Sequence, residues 1–223
     1  MPLRLKSLSC LIAAALLLPA PSFSMDTPLS DEAVREAYFL GQHHDQTLNV
    51  FLAKYMKLLP MPKTGPDIAS ISFLTPFALF AQESSQRTMN YSAQQAEEDH
   101  RNQQEVVRIV IQIQLTETYG ALIPAPTGSS SGSPTGFIQR SPDFWKDFDV
   151  QVLDKDRALI PLSSTGDSVY SCGSDGVCIL SGATLQFDFP ASAFKSDSPT
   201  VQVTPPEGEG DPVSVDFDLT RLR

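Results

Sequence analysis

Little in this chain announces its chemistry. Its 223 residues hold three histidines, three cysteines and one tryptophan. H-E-x-x-H, G-x-S-x-G and a glycine-rich phosphate loop are all missing, so zinc-protease, serine-hydrolase and nucleotide chemistry have no anchor. Basic residues are scarce, with 16 Lys and Arg against 26 Asp and Glu for a net charge of −10. Binding nucleic-acid phosphates takes clustered Lys and Arg, and no such cluster exists, so no nucleic-acid partner is expected. Electrostatic attachment to anionic lipid is disfavoured for the same reason. The longest apolar run, residues 11–18, is short for a bilayer span. No internal repeat and no heptad pattern occurs, and no cofactor is expected.

That short apolar run has a role of its own. Arg4 and Lys6 precede it, and Ala-Pro-Ser-Phe-Ser follows at 20–24, with small residues suited to cleavage after Ser24. Residues 1–24 therefore read as a secretory signal peptide, with no transmembrane span after its removal. Cys10 precedes the apolar run rather than following it, which argues against a lipoprotein. Without Arg4 and Lys6, 14 basic residues face 26 acidic ones, a net charge near −12. The expected location is exported, periplasmic or secreted. Only Cys172 and Cys178 then remain, and two cysteines in an exported domain are most simply a disulfide. Closing so short a loop contributes about 2 kcal/mol in the chain-entropy model. The intervening five residues do not fit a redox C-x-x-C motif, and further ligands for zinc at matching spacing are missing.

The most informative stretch is 105–119, EVVRIVIQIQLTETY. Val107, Ile109, Ile111, Ile113 and Leu115 alternate with Arg108, Val110, Gln112, Gln114 and Thr116, a period of two over a β-branched run. Such a strand puts one face in a core and turns the other towards water. Residues 25–104 read as mainly helical and 105–223 as mainly β, joined on this strand as one compact unit. Ser30 caps a helix that stops near Gly41. A second helix from about residue 45 gathers Leu48, Phe51, Leu52, Tyr55 and Leu59 on one face and ends at Pro60. This helical hairpin needs a partner surface. Residues 67–82 read as a kinked strand broken at Pro76. Ser92 and Gln95 form a capping box for a polar helix over 92–102.

Further along, 125–136 is a Gly/Ser/Pro loop. Strands follow over 147–153, 159–162, 168–171, 183–189, 200–204 and 213–219, with a helical turn at Ser141-Pro142-Asp143. The fold class is α+β: an N-terminal helical hairpin packed with a C-terminal antiparallel β-sandwich-like region.

Candidate sites are few. His43, His44 and His100, with Asp45 or Asp99, lack a metal-ligand spacing and read as exposed polar residues. Asp143, Asp147 and Asp149, or Asp154 with Asp156, offer oxygen ligands for calcium, but Lys155 and Arg157 interleave with the second pair as in a solvated turn. Asp216 and Asp218 alternate with apolar residues as the wet face of a strand. Asn90-Tyr91-Ser92 fits a glycosylation sequon, while Ser92 is also explained as a cap. Phe144 and Trp145 form the most pronounced aromatic cluster, as a sandwich core or a candidate interaction surface.

The stretches SDEAVREAYFLGQ, FLAKYMKLLPMPKTGP, YSAQQAEED, GSPTG, SPDFWKDF, the Cys172–Cys178 loop and the ending VDFDLTRLR together cover most of the chain after residue 24. On these the chain resembles a family of exported bacterial proteins with no assigned activity. The resemblance implies export and an α+β build and carries no functional residue across. The expectation is a non-catalytic exported protein binding a protein or envelope component through loops on a rigid scaffold. One alternative is a hydrolytic enzyme acting on glycans or peptides with dispersed acidic residues, which requires two carboxylates facing one cleft. The other is a structural envelope component.

Overall fold

The computed structural model describes residues 25–43, 46–87, 91–124 and 136–223. Four helices come first in number: α1 (Asp31–Gln42), α2 (Gln46–Ala53), α3 (Pro76–Ser85) and α4 (Ala93–Arg101). Eleven strands are described: β1 (Met56–Leu58), β2 (Asp67–Leu74), β3 (Val106–Gln114), β4 (Leu122–Pro124), β5 (Phe137–Gln139), β6 (Asp149–Asp154), β7 (Arg157–Ala158), β8 (Ser163–Cys172), β9 (Cys178–Pro190), β10 (Thr200–Thr204) and β11 (Val213–Asp216). They form a five-stranded sheet in the order β1-β2-β3-β9-β8, a four-stranded sheet β11-β10-β6-β7 and the small pair β4-β5. Every described pairing is antiparallel. The fold is α+β.

The alternating run at β3 behaves as its period requires. Val107, Ile109, Ile111 and Ile113 are buried, while Gln112 and Gln114 are exposed on the other face. β3 lies in the middle of the large sheet, between β2 and β9. Its buried face shares one apolar cluster with Leu185 and Phe189 of β9 and with Val152, Val201 and Val215 of the smaller sheet. The two sheets thus contribute to one core, as a sandwich-like arrangement requires.

A second cluster joins the helices, with Val34, Ala37, Phe77, Ala81 and Ala96 at its centre. α3 belongs to both clusters. Phe77 and Ala81 face the helices, and Ala78 and Leu79 face the sheets. The helical part has the partner surface that its amphipathic faces demand.

Several elements differ from the sequence reading for identifiable reasons. α2 stops at Ala53, and Met56–Leu58 pair with β2 instead of continuing the helix. Pro60 disfavours helical backbone at Leu59, and the edge of β2 supplies a competing partner. Pro76 begins α3 rather than kinking a strand. Thr75 Oγ1 accepts from the Ala78 amide, and proline sits in the first turn, where its missing N–H costs nothing. α1 stops at Gln42, next to Gly41 as the sequence suggests, but Gly41 itself is the last residue but one of the helix rather than a residue beyond it. A Cβ there would come within 2.3 Å of the Ala81 carbonyl, so this glycine serves the close crossing of α1 and α3. The 159–162 strand is absent, since pairing ends at Ala158 and Pro161 interrupts the segment. β11 ends at Asp216, and Leu219–Arg221 form a 3-10 turn capped by Asp218. The capping box of α4 and the turn at Phe144–Asp147 match the reading. The 125–136 loop lies outside the described residues except for Gly136, as do residues 1–24 and Asn90.

Candidate functional site

β8 and β9 form the longest hairpin among the described residues. β9 is interior to the sheet and buries Leu180, Ala183, Leu185 and Phe189. β8, SSTGDSVYSC, is the outer strand, and none of its ten residues is fully buried. Cys172 and Cys178 occupy paired positions at the end of the ladder and are joined as a disulfide. Within the turn, the Gly173 amide donates to the Val177 carbonyl at 2.8 Å, and the Val177 amide to Asp175 Oδ1 at 3.1 Å.

The aromatic pair singled out in the sequence sits beside this hairpin, but not as an aromatic surface. Phe144 is only 2% exposed, and its ring centroid lies 6.1 Å from that of Tyr119 and 6.2 Å from that of Phe148. It is core, packed against the two neighbouring rings within the main apolar cluster. Burial pushes the Tyr119 phenol up to about 12. Trp145 is half-buried and lies flat on Gly166 of β8. A Cβ at Gly166 would come within 2.5 Å of the indole, so only glycine admits the ring. The Ser168 hydroxyl donates to the Pro142 carbonyl at 2.6 Å and ties the same turn to β8.

Natural sheets guard their edges with short strands, lysine, proline or covering loops, because an edge presents unpaired N–H and C=O groups. Three of the edges here follow that rule. β1 has three residues, carries Lys57 and runs into Pro60. β7 has two residues and begins at Arg157, and β11 has four and follows Pro212. β8 has ten residues, no lysine and no proline. No backbone hydrogen bond runs from its outer side to another described segment. Large apolar side chains collect near its end: Val169, Tyr170, Val177 and Ile179 are each 43–58% exposed. The β4–β5 pair leaves the same end of the sheet, where the Leu115 amide meets Ser181, and exposes Leu122 and Phe137. Clustered exposure of this kind marks interaction sites.

The surroundings are acidic. No Lys or Arg occurs between Arg157 and Lys195, while Asp167 and Asp175 are exposed. On the adjoining turn Asp143 pairs with Lys146 at 2.5 Å, and Asp147 is exposed with no ion pair among the described residues. Arg108 and Asp188 form a two-pronged pair at 2.7 and 3.1 Å on the outer face. The hydrogen bond from Arg108 to Asp188 holds the guanidinium pKa above its ordinary value.

The other candidates are committed to the fold. His100 Nε2 lies 2.9 Å from Glu105 Oε1, beside a cleft of about 380 Å³ that Asp31 also lines. Glu105 also accepts from the Thr27 hydroxyl at 2.7 Å and the Leu29 amide at 2.6 Å, and Asp31 is paired with Arg101 at 2.6 Å. Both carboxylates of that cleft are engaged. Asp99 accepts from the Tyr91 hydroxyl. His44 and Asp45 lie outside the described residues. Among the described residues no group of three His, Cys, Asp or Glu could hold a metal. Asp154 accepts from the Lys195 and Ser196 amides and the Ser196 hydroxyl, so it caps a loop rather than waiting for calcium. Asp149 accepts from Gln151, and Asp216 from Thr200. A second cleft, of about 540 Å³, lies between Pro60, Pro62 and Pro66 on one side and Pro205 and Pro212 on the other. Asp211 is the one carboxylate among its described lining residues.

The sequence reading places a strand at 168–171 but not at 163–167, where Ser, Gly and Asp dominate and give little strand signal, and it does not mark this strand as an open edge. The exposed apolar residues on either side of the disulfide were the available clue. Comparison with protein-family models, curated proteins and solved structures finds no match to this chain. Among the described residues no helix is long and apolar enough to cross a membrane.

Proposed function

We propose that this is an exported, non-catalytic protein that binds a protein or envelope component along the β8 edge and its disulfide hairpin. The observation that carries the reading is the contrast among edges: β8 is long and unguarded where the others are short and protected. A sheet edge is a ready-made recognition element, since main-chain hydrogen bonds supply affinity and flanking side chains supply selectivity. The disulfide at the hairpin end and the signal-like residues 1–24 both fit an oxidising, exported setting. The mature N-terminus is then expected near Met25.

The test places a photo-crosslinking residue at Tyr170 in one variant and at Leu58, on the guarded edge, in another. Each is expressed in the natural host and irradiated in intact cells. The reading expects a reproducible envelope or secreted partner from position 170 only. Equal capture from both positions, or none above background from either, would reject it.

A further inference from the structure

Resting on that reading, we propose that the occupant of the β8 edge is an extended segment of a partner protein in which basic and apolar residues alternate. The length fits, because ten residues of strand span about 33 Å and, with one register shift against β9 between Val169 and Tyr170, offer a ladder to a segment of similar size. The charge fits. Asp143, Asp147, Asp167 and Asp175 lie on or beside the hairpin, and Lys146 is the one cation described on that turn, already paired with Asp143. The alternation fits as well. Along β8, Thr165 and Asp167 point to the face that carries Gln186 and Thr184, and Gly166 points to the face where Trp145 lies. A strand added alongside would therefore set every second side chain beside Asp167 and the others beside the indole. Lysine or arginine suits the first row and an apolar residue the second.

The same features argue against a second copy of this chain. A copy would bring another Asp167 and another strongly acidic molecule to the same edge.

The experiment uses the chain from Met25 onward and a fluorescein-labelled decapeptide of alternating Val and Lys, read by anisotropy. Two control peptides go with it: Val alternating with Glu, and the Val/Lys peptide with every second amide N-methylated, which keeps the charge and removes ladder donors. The proposal expects the Val/Lys peptide to bind and both controls to bind at least about tenfold more weakly. Asp167→Lys, at a side chain that makes no described hydrogen bond or ion pair, should weaken it by about fivefold with no change in melting temperature. Equal binding by the methylated peptide would reduce the effect to general charge attraction and overturn the proposal. So would equal binding by the Glu peptide, or a dimer in solution that uses this edge. If position 170 captures a partner in cells while the Val/Lys peptide fails, the binding reading stands and the basic occupant falls. If both fail, both fall.

Discussion

The two ends of this molecule treat their polar groups in opposite ways. Where residues 25–29 meet the helices and Arg223, polar groups reach across long stretches of chain to one another. Glu105 holds Thr27, Leu29 and His100. The Arg223 carbonyl accepts from the Tyr55 hydroxyl at 3.0 Å and from Thr75, and its guanidinium pairs with Asp26 and Glu36 above the Phe77 ring. At the disulfide hairpin the bonds are local, and the outer backbone of β8 and four large apolar side chains face solvent. The first end commits its polar groups to holding the fold. The second leaves them available, with a covalent bond in place of a network.

The largest expected effect is on the closed end. Glu105→Ala leaves the Leu29 amide and the Thr27 hydroxyl without their acceptor and should cost about 3 kcal/mol in urea unfolding. A loss under about 1 kcal/mol would show that this carboxylate does not fasten residues 25–29. On the open end, Cys172→Ser with Cys178→Ser should cost about 2 kcal/mol. Hydrogen exchange should then rise in β8 more than in β3. The oxidised chain from Met25 should also titrate two fewer free thiols than the reduced one, and equal counts would remove the disulfide.

The contrast recurs at two single carboxylates. Asp67 is buried, its Oδ1 has no partner, and burial raises its pKa. A carboxyl held above its ordinary value binds its proton more tightly when folded, so this group adds stability as pH falls through its raised pKa. Asp67→Asn should therefore gain about 1 kcal/mol at neutral pH and abolish that rise. At Asp154 burial raises the pKa, but the Ser196 hydroxyl, the Lys195 and Ser196 amides and Arg157 together lower it below the ordinary value. Its contribution is present above the ordinary carboxyl pKa and is lost as pH falls through the lowered one. Stability curves of the two Asn variants between about pH 2 and 7 should diverge from the parent in opposite directions. The smallest effect is expected from Arg223→Ala, about 0.5 kcal/mol, because the side chain is half exposed and its ion pairs are solvated.

The sequence made β3, the α4 capping box, the disulfide and β10 legible, because each depends on local pattern. Period-two burial, a Ser-x-x-Gln box and paired cysteines need no knowledge of distant residues. What escaped depends on tertiary partners. Leu48, Phe51, Leu52, Tyr55 and Leu59 make a good helical stripe, yet β2 claims Met56–Leu58 for its edge. Gly41 looks like a stop signal, but the nearby Ala81 carbonyl explains it. Phe144 and Trp145 were visible as a pair. That one would be core and the other would rest on a glycine twenty-one residues from it depended on where β8 lands. The open edge had the weakest signal, since most of β8 is Ser, Gly and Asp, and such a strand is specified by its neighbour rather than by itself.

The seat of Trp145 on Gly166 gives that edge a built-in reporter. Trp145 is the one tryptophan in the chain, so light absorbed at the red end of the protein band is emitted from a single place against β8. The ring is partly exposed, with the Lys146 ammonium 5.4 Å from its centroid. A segment laid along the strand would strip water from the open flank of the indole. Its fluorescence would then move to shorter wavelength, so the unlabelled protein can signal occupancy of its own edge.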